Sequence, residues 1–459
     1  MGNVKIAAPA ETAVTCAAVT EEVVARLIAL RDSELSPTTL TVAKQCLLDW
    51  FGVALGGRRE PLVGILVEEL ASERPKDGCA VIGLRRRAPL ETAVLINGAM
   101  SHALDFDDVH LAMGHPAVSV APVVLALAEQ RGLSAAAALR AFVVGVEAEC
   151  MVGVLLGPSH YAAGWHSTAT CGTFGAAAAA ATLLGLDAGQ WLHCFGLAGT
   201  QAAGLKSVFG TMSKPLHPGK SAQNGLLAAR LARRGFTSDP DILGSAQGFA
   251  DTQSTTVDVS AALAARSAPF VTDTLFKYHA ACYLTHDTIE AANRLRVAEG
   301  FSPDQIEAVT VQVQPKHLGV CNIEAPRTGL ECKFSLRMTA ALALSGEDTF
   351  EDQLFSDAMA ARPDLVALRK RVRVEASFPG PGARVDVRLR GGATFSATVN
   401  VAEPDRDLDR QQAALARKFR HLAGGDVEAE RVIAMVAQLE TQPDLRSLLA
   451  LCDGAEARA

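Results

Sequence analysis

The stretch TATCGTFGAAAAAATLL, residues 168–184, decides the fold class that this sequence predicts. It is apolar on nearly every side that a helix would present, and it is rich in alanine and glycine. Helices of this kind lie in the core of a large protein, where small side chains let neighbouring backbones approach closely. The most apolar part of this region, Gly172–Leu186, is shorter than the roughly 20 apolar residues that a membrane span needs. We therefore predict a buried helix in a mainly α protein.

Similar helical patterns extend from about residue 19 to residue 265. The clearest one begins at Ser36-Pro37, a capping residue followed by proline, and ends at Gly56-Gly57. Apolar residues at three- and four-residue steps mark the buried side of this helix. Further helices are predicted at Val118–Glu129, Ala135–Gly153, Thr168–Leu184, Ala188–Leu205 and Gly219–Arg234.

The pattern changes near residue 270 to the alternation that is typical of β-strands. Arg390-Gly391-Gly392 has the composition of a tight hairpin turn. The predicted strands are Ile306–Val313, Val372–Phe378, Ala383–Leu389 and Thr394–Val401, with helices at Thr285–Arg296, Phe334–Ser345, Leu408–Leu422 and Val427–Gln438. We therefore expect a large all-helical domain over 1–270, a smaller α+β domain over 271–404, and C-terminal helices over 405–459 that return to the large domain.

Composition excludes some classes of function. The chain has 459 residues, of which 49% are hydrophobic, and a net charge of −7, which argues against nucleic acid as the main partner. Its ten cysteines form no CxxC pair, and the first fourteen residues contain no continuous apolar segment of a secretory signal. We expect a cytoplasmic protein with free thiols and no membrane span.

Residues 101–116, SHALDFDDVHLAMGHP, concentrate three aspartates and three histidines in otherwise apolar surroundings. They suit a metal site, an acid/base set or, for some of the aspartates, helix capping. The templates of the EF-hand and of HExxH are not met. An Asp/His metallohydrolase remains one alternative, and Asp107 and Asp108 are interpreted as residues that shape the loop.

Four further segments carry candidate groups. His166 precedes a predicted helix start, and Lys214 and His217 lie near another, where anions are favoured. Lys214 stands where a P-loop requires glycine, so a nucleotide site is excluded. The remaining candidates are Lys277, His279 and Cys282 in residues 276–286 and Arg327 in residues 326–337. Histidine, aspartate and lysine without a nucleotide motif suit proton transfer next to carboxylates.

Five segments in order resemble the MmgE/PrpD family, whose members include 2-methylcitrate dehydratase, cis-aconitate decarboxylase and iminodisuccinate epimerase. They are HALDFDDVH (102–110) with His115-Pro116, GWHSTATCGTFGAA (164–177), SKPLHPGKSAQNGLLAARLARRGFTS (213–238), KYHAACYLTH (277–286) and PRTGLECKFSLR (326–337). The resemblance implies a large helical domain with a smaller α+β lid, a pocket between them, a homodimer, and chemistry that needs neither metal nor cofactor.

The resemblance also implies the site residues. It places the catalytic set on Asp105, His115, His166, Lys214 and Lys277. We further expect substrate contacts from Val109, His110, His217, His279, Cys282 and Arg327. Val109 stands where the decarboxylases have threonine, and Cys282 stands near the position of one of their histidines. These two departures count against cis-aconitate decarboxylation and leave the Asp/His/Lys set intact.

The expected function is a cofactor-independent lyase acting on a small di- or tricarboxylate. We expect a hydro-lyase of the citrate or 2-methylcitrate dehydratase type, which removes a proton next to a carboxylate. The alternatives within the family are a decarboxylase and an epimerase.

Overall fold

The computed structural model describes residues 18–71, 75 and 77–453, so Cys16 and the segment used to judge a secretory signal lie outside the described residues. The fold is mainly helical, with small sheets, as predicted. Within the described residues, no helix is both long and apolar enough to cross a membrane.

The N-terminal part of the chain forms a large helical domain. Its helices are α1 Val19–Asp32, α2 Pro37–Gly57, α3 Pro61–Leu70, α4 Leu90–Ser101, α5 Ala117–Arg131, α6 Ala135–Ala162, α7 Ser167–Leu184, α8 Ala188–Gly199, α9 Ser213–Arg233, α10 Phe249–Gln253 and α11 Val259–Ala262. The Ser36 side chain caps α2 by accepting from the Thr39 N–H, as its sequence predicts.

Helix α7 is the central helix of this domain and packs against α5, α6, α8 and α9. Nearly all of its side chains are buried, and the helix ends at Gly185 in the left-handed conformation. Helix α9 approaches it so closely that a Cβ built at Gly225 would lie 2.5 Å from the backbone nitrogen of Ala177. The Ala- and Gly-rich stretch therefore forms the buried and closely packed helix that its composition predicts.

Three details of the large domain differ from the sequence prediction. The domain is not purely helical, because β1 Cys79–Val81 and β2 Arg86–Ala88 form a short antiparallel hairpin. Strands of three residues are too short to show the alternation of apolar and polar residues by which a strand is recognised in a sequence. Helix α8 ends at Gly199, not Leu205. Helix α9 begins at Ser213, because Pro215 falls in its first turn, where proline is tolerated, so Lys214 and His217 are helical residues.

The smaller α+β part, called the lid here, is built on one four-stranded sheet. Its strands β3 Ile306–Gln312, β4 Val372–Glu375, β5 Ala383–Leu389 and β6 Thr394–Val399 lie in the order β4-β3-β5-β6, with only the β3–β4 pair parallel. The lid helices are α12 His286–Glu299, α13 Pro315–Leu318, α14 Gly329–Cys332, α15 Leu336–Leu344, α16 Asp357–Ala361 and α17 Pro363–Arg369.

The last helices, α18 Leu408–Ala423, α19 Ala429–Ala437 and α20 Arg446–Cys452, return to the large domain, where α18 and α19 pack on α2. Two hydrophobic cores result. One joins the N-terminal helices with the C-terminal ones, and the other fills the lid and takes in Leu104 and Phe106 from the loop after α4. The two cores meet beside Asp105, and the domain boundaries at residues 270 and 404 stay a prediction.

Candidate active site

Asp105 is the residue on which the site is built. It follows α4 in a tight turn and has a φ of 53°, in the left-handed region that costs a non-glycine residue free energy. Lys277 holds this conformation: its Nζ donates to the Asp105 carbonyl oxygen at 2.7 Å and to Oδ1 at 3.0 Å. The Nζ of Lys214 donates to the same Oδ1 at 2.7 Å.

Asp107 joins two histidines on the other side of this ion cluster. Its carboxylate oxygens both lie 2.9 Å from Nδ1 of His102, and Oδ2 lies 2.8 Å from Nδ1 of His115. The Nε2 of His102 lies 3.0 Å from Nζ of Lys214, and the Nε2 of His115 lies 3.9 Å from Oδ1 of Asp105. Asp107, His102, Lys214, Asp105 and His115 thus form a closed ring of side chains, which we call the acid/base ring.

The charges of the acid/base ring are set by its own members. Burial favours a neutral acid, but Lys214 and Lys277 hold the pKa of Asp105 well below its ordinary value. In the same way His102 and His115 overcome burial and lower the pKa of Asp107. Burial lowers the pKa of His102 to about 4, so its ring is neutral near pH 7. The side chain of His115 is 13% exposed, the most accessible of the ring.

His166 and His217 form a second pair of imidazoles beside the acid/base ring. Their Nδ1 atoms lie 2.9 Å apart, so one donates and the other accepts. The His166 ring stacks on His102 at a centroid distance of 6.0 Å, and the Phe209 ring packs edge-on against it. Burial, reinforced by Lys214, lowers the pKa of His166 well below its ordinary value, so this imidazole is neutral.

Val109 and Cys282 lie beside the cluster. Val109 and Leu275 exchange two backbone hydrogen bonds of 2.7 Å, which tie the Asp105 loop to the segment that carries Lys277. Cys282 is half-buried, and a hydrogen bond with the Cys321 thiol, opposed by burial and assisted by Lys277, lowers its pKa.

The structure does not bring His110, His279 and Arg327 into the acid/base ring. Both ring nitrogens of His110 are engaged with backbone, at Phe270 O and Ala112 N. His279 contacts Thr349 and Glu290 and lines a separate cavity of about 520 Å³. Arg327 is exposed before α14, and its backbone N–H donates to Glu331. The substrate contacts of these three residues stay predictions.

Sequence reasoning missed the roles of four residues. His102 and Asp107 lie within residues 101–116, the segment in which aspartates and histidines are concentrated. Their contacts, however, depend on the turn at Asp105, which no hydrophobic periodicity in the sequence reveals. Lys333 is buried and donates to the Leu104 carbonyl oxygen at 2.6 Å. Phe209 had no signal, because it packs on His166 from a loop between α8 and α9.

Four donor residues of the site, His102, Asp105, Asp107 and His115, have ligand atoms within 4.8 Å of one another and meet the distance criterion for a metal site. The surrounding charges do not fit a cation. Two ammonium groups already contact Oδ1 of Asp105, and the Nε2 of His102 accepts from Lys214. A metal ion there would meet two positive charges at close range.

These features define a class of protein: a helical domain and an α+β lid that enclose a buried aspartate–histidine–lysine cluster where their cores meet. The MmgE/PrpD N-terminal domain matches residues 23–262, and the MmgE/PrpD C-terminal domain matches residues 279–441. The chain therefore belongs to the MmgE/PrpD family.

Curated relatives align with the chain over nearly its full length. The cis-aconitate decarboxylase-like protein oryM of Aspergillus oryzae is 29% identical over 95% of this chain and 97% of its own. The cis-aconitate decarboxylase of Aspergillus terreus is 28% identical over 92% and 93%, and that of Homo sapiens is 28% identical over 95% of each chain. The names of these relatives describe lyases.

Proposed function

We propose that this protein is a metal-independent lyase that removes water from a small di- or tricarboxylate. The observation that carries the proposal is that two lysines and the imidazole of His115 surround one buried aspartate, Asp105, while a second imidazole, His166, stacks on His102 beside them. Dehydration needs a base for the proton next to a carboxylate and an acid for the leaving hydroxyl, and the site offers two such groups.

The roles follow from the surroundings of each imidazole. His166 is neutral and can accept the proton. His115 has the Asp107 carboxylate on Nδ1, an arrangement that stabilises an imidazolium when one forms, so it can protonate the leaving group from Nε2. Acid/base catalysis of this kind needs two groups whose different environments give one the role of acid and the other the role of base.

The lysines supply the positive charge that the carboxylate substrate requires. An ammonium group has three N–H donors. Lys214 uses two of them, on Asp105 and His102, so a third remains for a substrate carboxylate. A preorganised donor of this kind stabilises the enolate-like charge that develops when the neighbouring proton leaves.

Proton NMR in D2O tests the reaction. Citrate, 2-methylcitrate, cis-aconitate and iminodisuccinate are incubated with the purified protein, with and without EDTA. We expect an alkene product from citrate or 2-methylcitrate, with an unchanged rate in EDTA. Deuterium uptake without net change would indicate epimerisation, and loss of activity in EDTA would contradict the metal-independent proposal.

Decarboxylation is the second candidate, because the relatives reported above are named as cis-aconitate decarboxylases. Loss of CO2 from cis-aconitate in the same experiment would select it over dehydration. The doubly substituted Val109→Thr/Cys282→His protein sharpens the choice, since it restores the threonine and approximates the histidine of the decarboxylase pattern. If the wild-type protein is a dehydratase, this variant is expected to gain decarboxylation relative to it.

The resemblance to the family also leads us to propose a homodimer. Light scattering of the purified protein measures this directly, and a monomeric mass would contradict it.

A further inference from the structure

The carboxylate of Asp107 lies between two histidines and contacts each of them at Nδ1. For His102 the two carboxylate oxygens are the partners of Nδ1, both at 2.9 Å. For His115 the partners of Nδ1 are Asp107 Oδ2 and the Asp108 carbonyl oxygen, both at 2.8 Å. All of these partners are hydrogen-bond acceptors, so each Nδ1 must carry a proton.

A proton on Nδ1 determines the state of the other nitrogen of a neutral ring, because a neutral imidazole has only one N–H. The Nε2 of His102 must then be an acceptor, which agrees with its 3.0 Å contact with the Lys214 ammonium. The Nε2 of His115, on the side of Asp105, is then the nitrogen that takes up and releases a proton: it carries a lone pair in the neutral ring and an N–H in the imidazolium, the form that acts as the acid. One carboxylate therefore dictates the tautomers on both sides of the acid/base ring.

We propose that Asp107 is a positioning residue that holds His102 and His115 in the Nδ1–H tautomer, so that His102 orients Lys214 and the Nε2 of His115 is available for proton transfer. The tautomer assignment stands on the hydrogen-bond geometry alone, whereas its consequence for turnover rests on the proposed function. Asp107 reaches the reacting atoms only through these two rings.

Asp287 in the first turn of α12 provides a contrast, since it is a buried aspartate that lies outside the acid/base ring. Its Oδ1 accepts from the Val401 N–H at 2.7 Å, and the amide oxygen of asparagine can accept the same bond. Asparagine therefore keeps the hydrogen bond of Asp287, but it replaces the Asp107 carboxylate poorly.

The Asp107→Asn substitution leaves one acceptor where the two rings need acceptors on both sides. The amide NH2 must face one Nδ1–H, or it must turn His102 into the Nε2–H tautomer, whose donor then faces the Lys214 ammonium. Losing the correct tautomer in a comparable aspartate-to-asparagine change of a serine protease lowers kcat about 10⁴-fold. We expect a loss of about 10²- to 10⁴-fold in kcat with little change in KM for Asp107→Asn, and a change of at most about twofold for Asp287→Asn.

Neutron crystallography of deuterium-exchanged protein tests the assignment without any substrate. In the wild-type protein, deuterium is expected on Nδ1 of both His102 and His115, and in Asp107→Asn at least one ring should change its tautomer or its orientation. Deuterium on Nε2 alone of either ring in the wild-type protein would overturn the proposal, even if the variant does not fold.

The kinetic and structural outcomes separate two kinds of failure. If no substrate turns over but both rings carry deuterium on Nδ1, the proposed function fails and the positioning role stands. If the wild-type protein is active and Asp107→Asn keeps its kcat and both tautomers, the positioning role is refuted and the proposed function stands.

Discussion

At the residue scale, Asp105 shows how this site stores conformational strain. A non-glycine residue in the left-handed region costs about 1–3 kcal/mol and persists only where its surroundings hold it. Lys277 supplies this restraint by binding both the backbone and the side chain of Asp105. The carboxylate is therefore fixed before a substrate arrives, which electrostatic preorganisation requires.

Lys214→Ala tests the proposed electrostatic role of the lysines. The variant removes an ammonium group that contacts Asp105 and His102, and we expect kcat/KM to fall by about 10²- to 10³-fold, as when one preorganised donor is lost. Steady-state kinetics on the substrate identified by NMR measures the effect. Lys220→Ala on the same helix is the control, because Lys220 is exposed and contacts Gln223. Near-wild-type turnover of Lys214→Ala would exclude this role.

Lys333 gives the stability of the protein a defined dependence on pH. Burial lowers the pKa of this ammonium from 10.5 to about 8. Between these two values the unfolded chain binds more protons than the folded one, so the free energy of unfolding rises with pH from about 8 to about 10.5. The rise amounts to at most about 3 to 4 kcal/mol, since the shift from 10.5 to about 8 is about 2.5 pKa units and one unit corresponds to about 1.4 kcal/mol.

Urea unfolding at several pH values, with Lys333→Met beside the wild-type protein, isolates this contribution. Between about pH 8 and pH 10.5, the unfolding free energy of the wild-type protein should rise relative to that of Lys333→Met. The exposed Lys370 serves as the control through Lys370→Met. Parallel curves for wild type and Lys333→Met would show that Lys333 titrates normally in the folded protein.

At the scale of elements, the pairing of α7 with α9 places Lys214 and His217 next to His166. Residues Thr173, Ala176 and Ala177 of α7 meet Gly225 of α9 with no space for a further methyl group. This contact lies about three turns of α9 away from Lys214, so the small residues fix how the start of α9 faces the site. Residues 168–184, the stretch that predicts the fold class, therefore also help to position residues of the site.

Gly225→Ala tests the importance of this contact. The added methyl group would lie 2.5–2.6 Å from backbone and side-chain atoms of α7, so the helices must separate. We expect a loss of about 1–3 kcal/mol in unfolding free energy, the usual cost of overpacking. Gly64→Ala is the control, since Gly64 lies in the exposed part of α3 with no atom near a built Cβ, and alanine there should be neutral or slightly stabilising. Equal melting temperatures for the two variants would contradict tight packing at Gly225.

At the scale of the whole molecule, the C-terminal helix α18 connects the large domain with the active-site loop. The Nζ of Lys418 is buried, lies 2.7 Å from Oδ1 of Asp49 on α2, and donates to the carbonyl oxygens of Phe106 and Lys277. The Lys418 side chain thus holds the loop that carries Asp105 and Asp107 and the segment that carries Lys277. This contact joins α18, from the C-terminal part of the chain, to α2 near its N-terminal part.

Lys418→Met should therefore destabilise the protein by about 3–5 kcal/mol, because Asp49 remains buried without its partner. The double variant Asp49→Asn/Lys418→Met should recover part of that loss, and urea midpoints measure both. Lys44→Met is the control, as it breaks a more exposed pair with Glu440 that is expected to contribute no more than about 1 kcal/mol. A double variant no more stable than Lys418→Met would show that the ion pair is not the source of the effect.

The sequence by itself determined the mainly helical class, the position of α7, the capped start of α2, the four strands of the lid and the family motifs. Each of these depends on a local pattern of 4 to about 20 residues, such as the alternation over Ala383–Leu389. The three-residue strands near residue 80 and the early start of α9 escaped because their patterns are too short or contain proline.

Only the tertiary structure decided which of the motif's ionisable groups meet. His102 and Asp107 entered the acid/base ring and His110 did not, although all three stand within nine residues. The ring closes through Lys214, which is 109 residues away from Asp105 in the chain, and Lys277, which is 172 residues away, binds Asp105 from outside the ring. Contacts of this kind depend on a strained turn and on the packing of two domains, and neither leaves a periodic signal in the sequence.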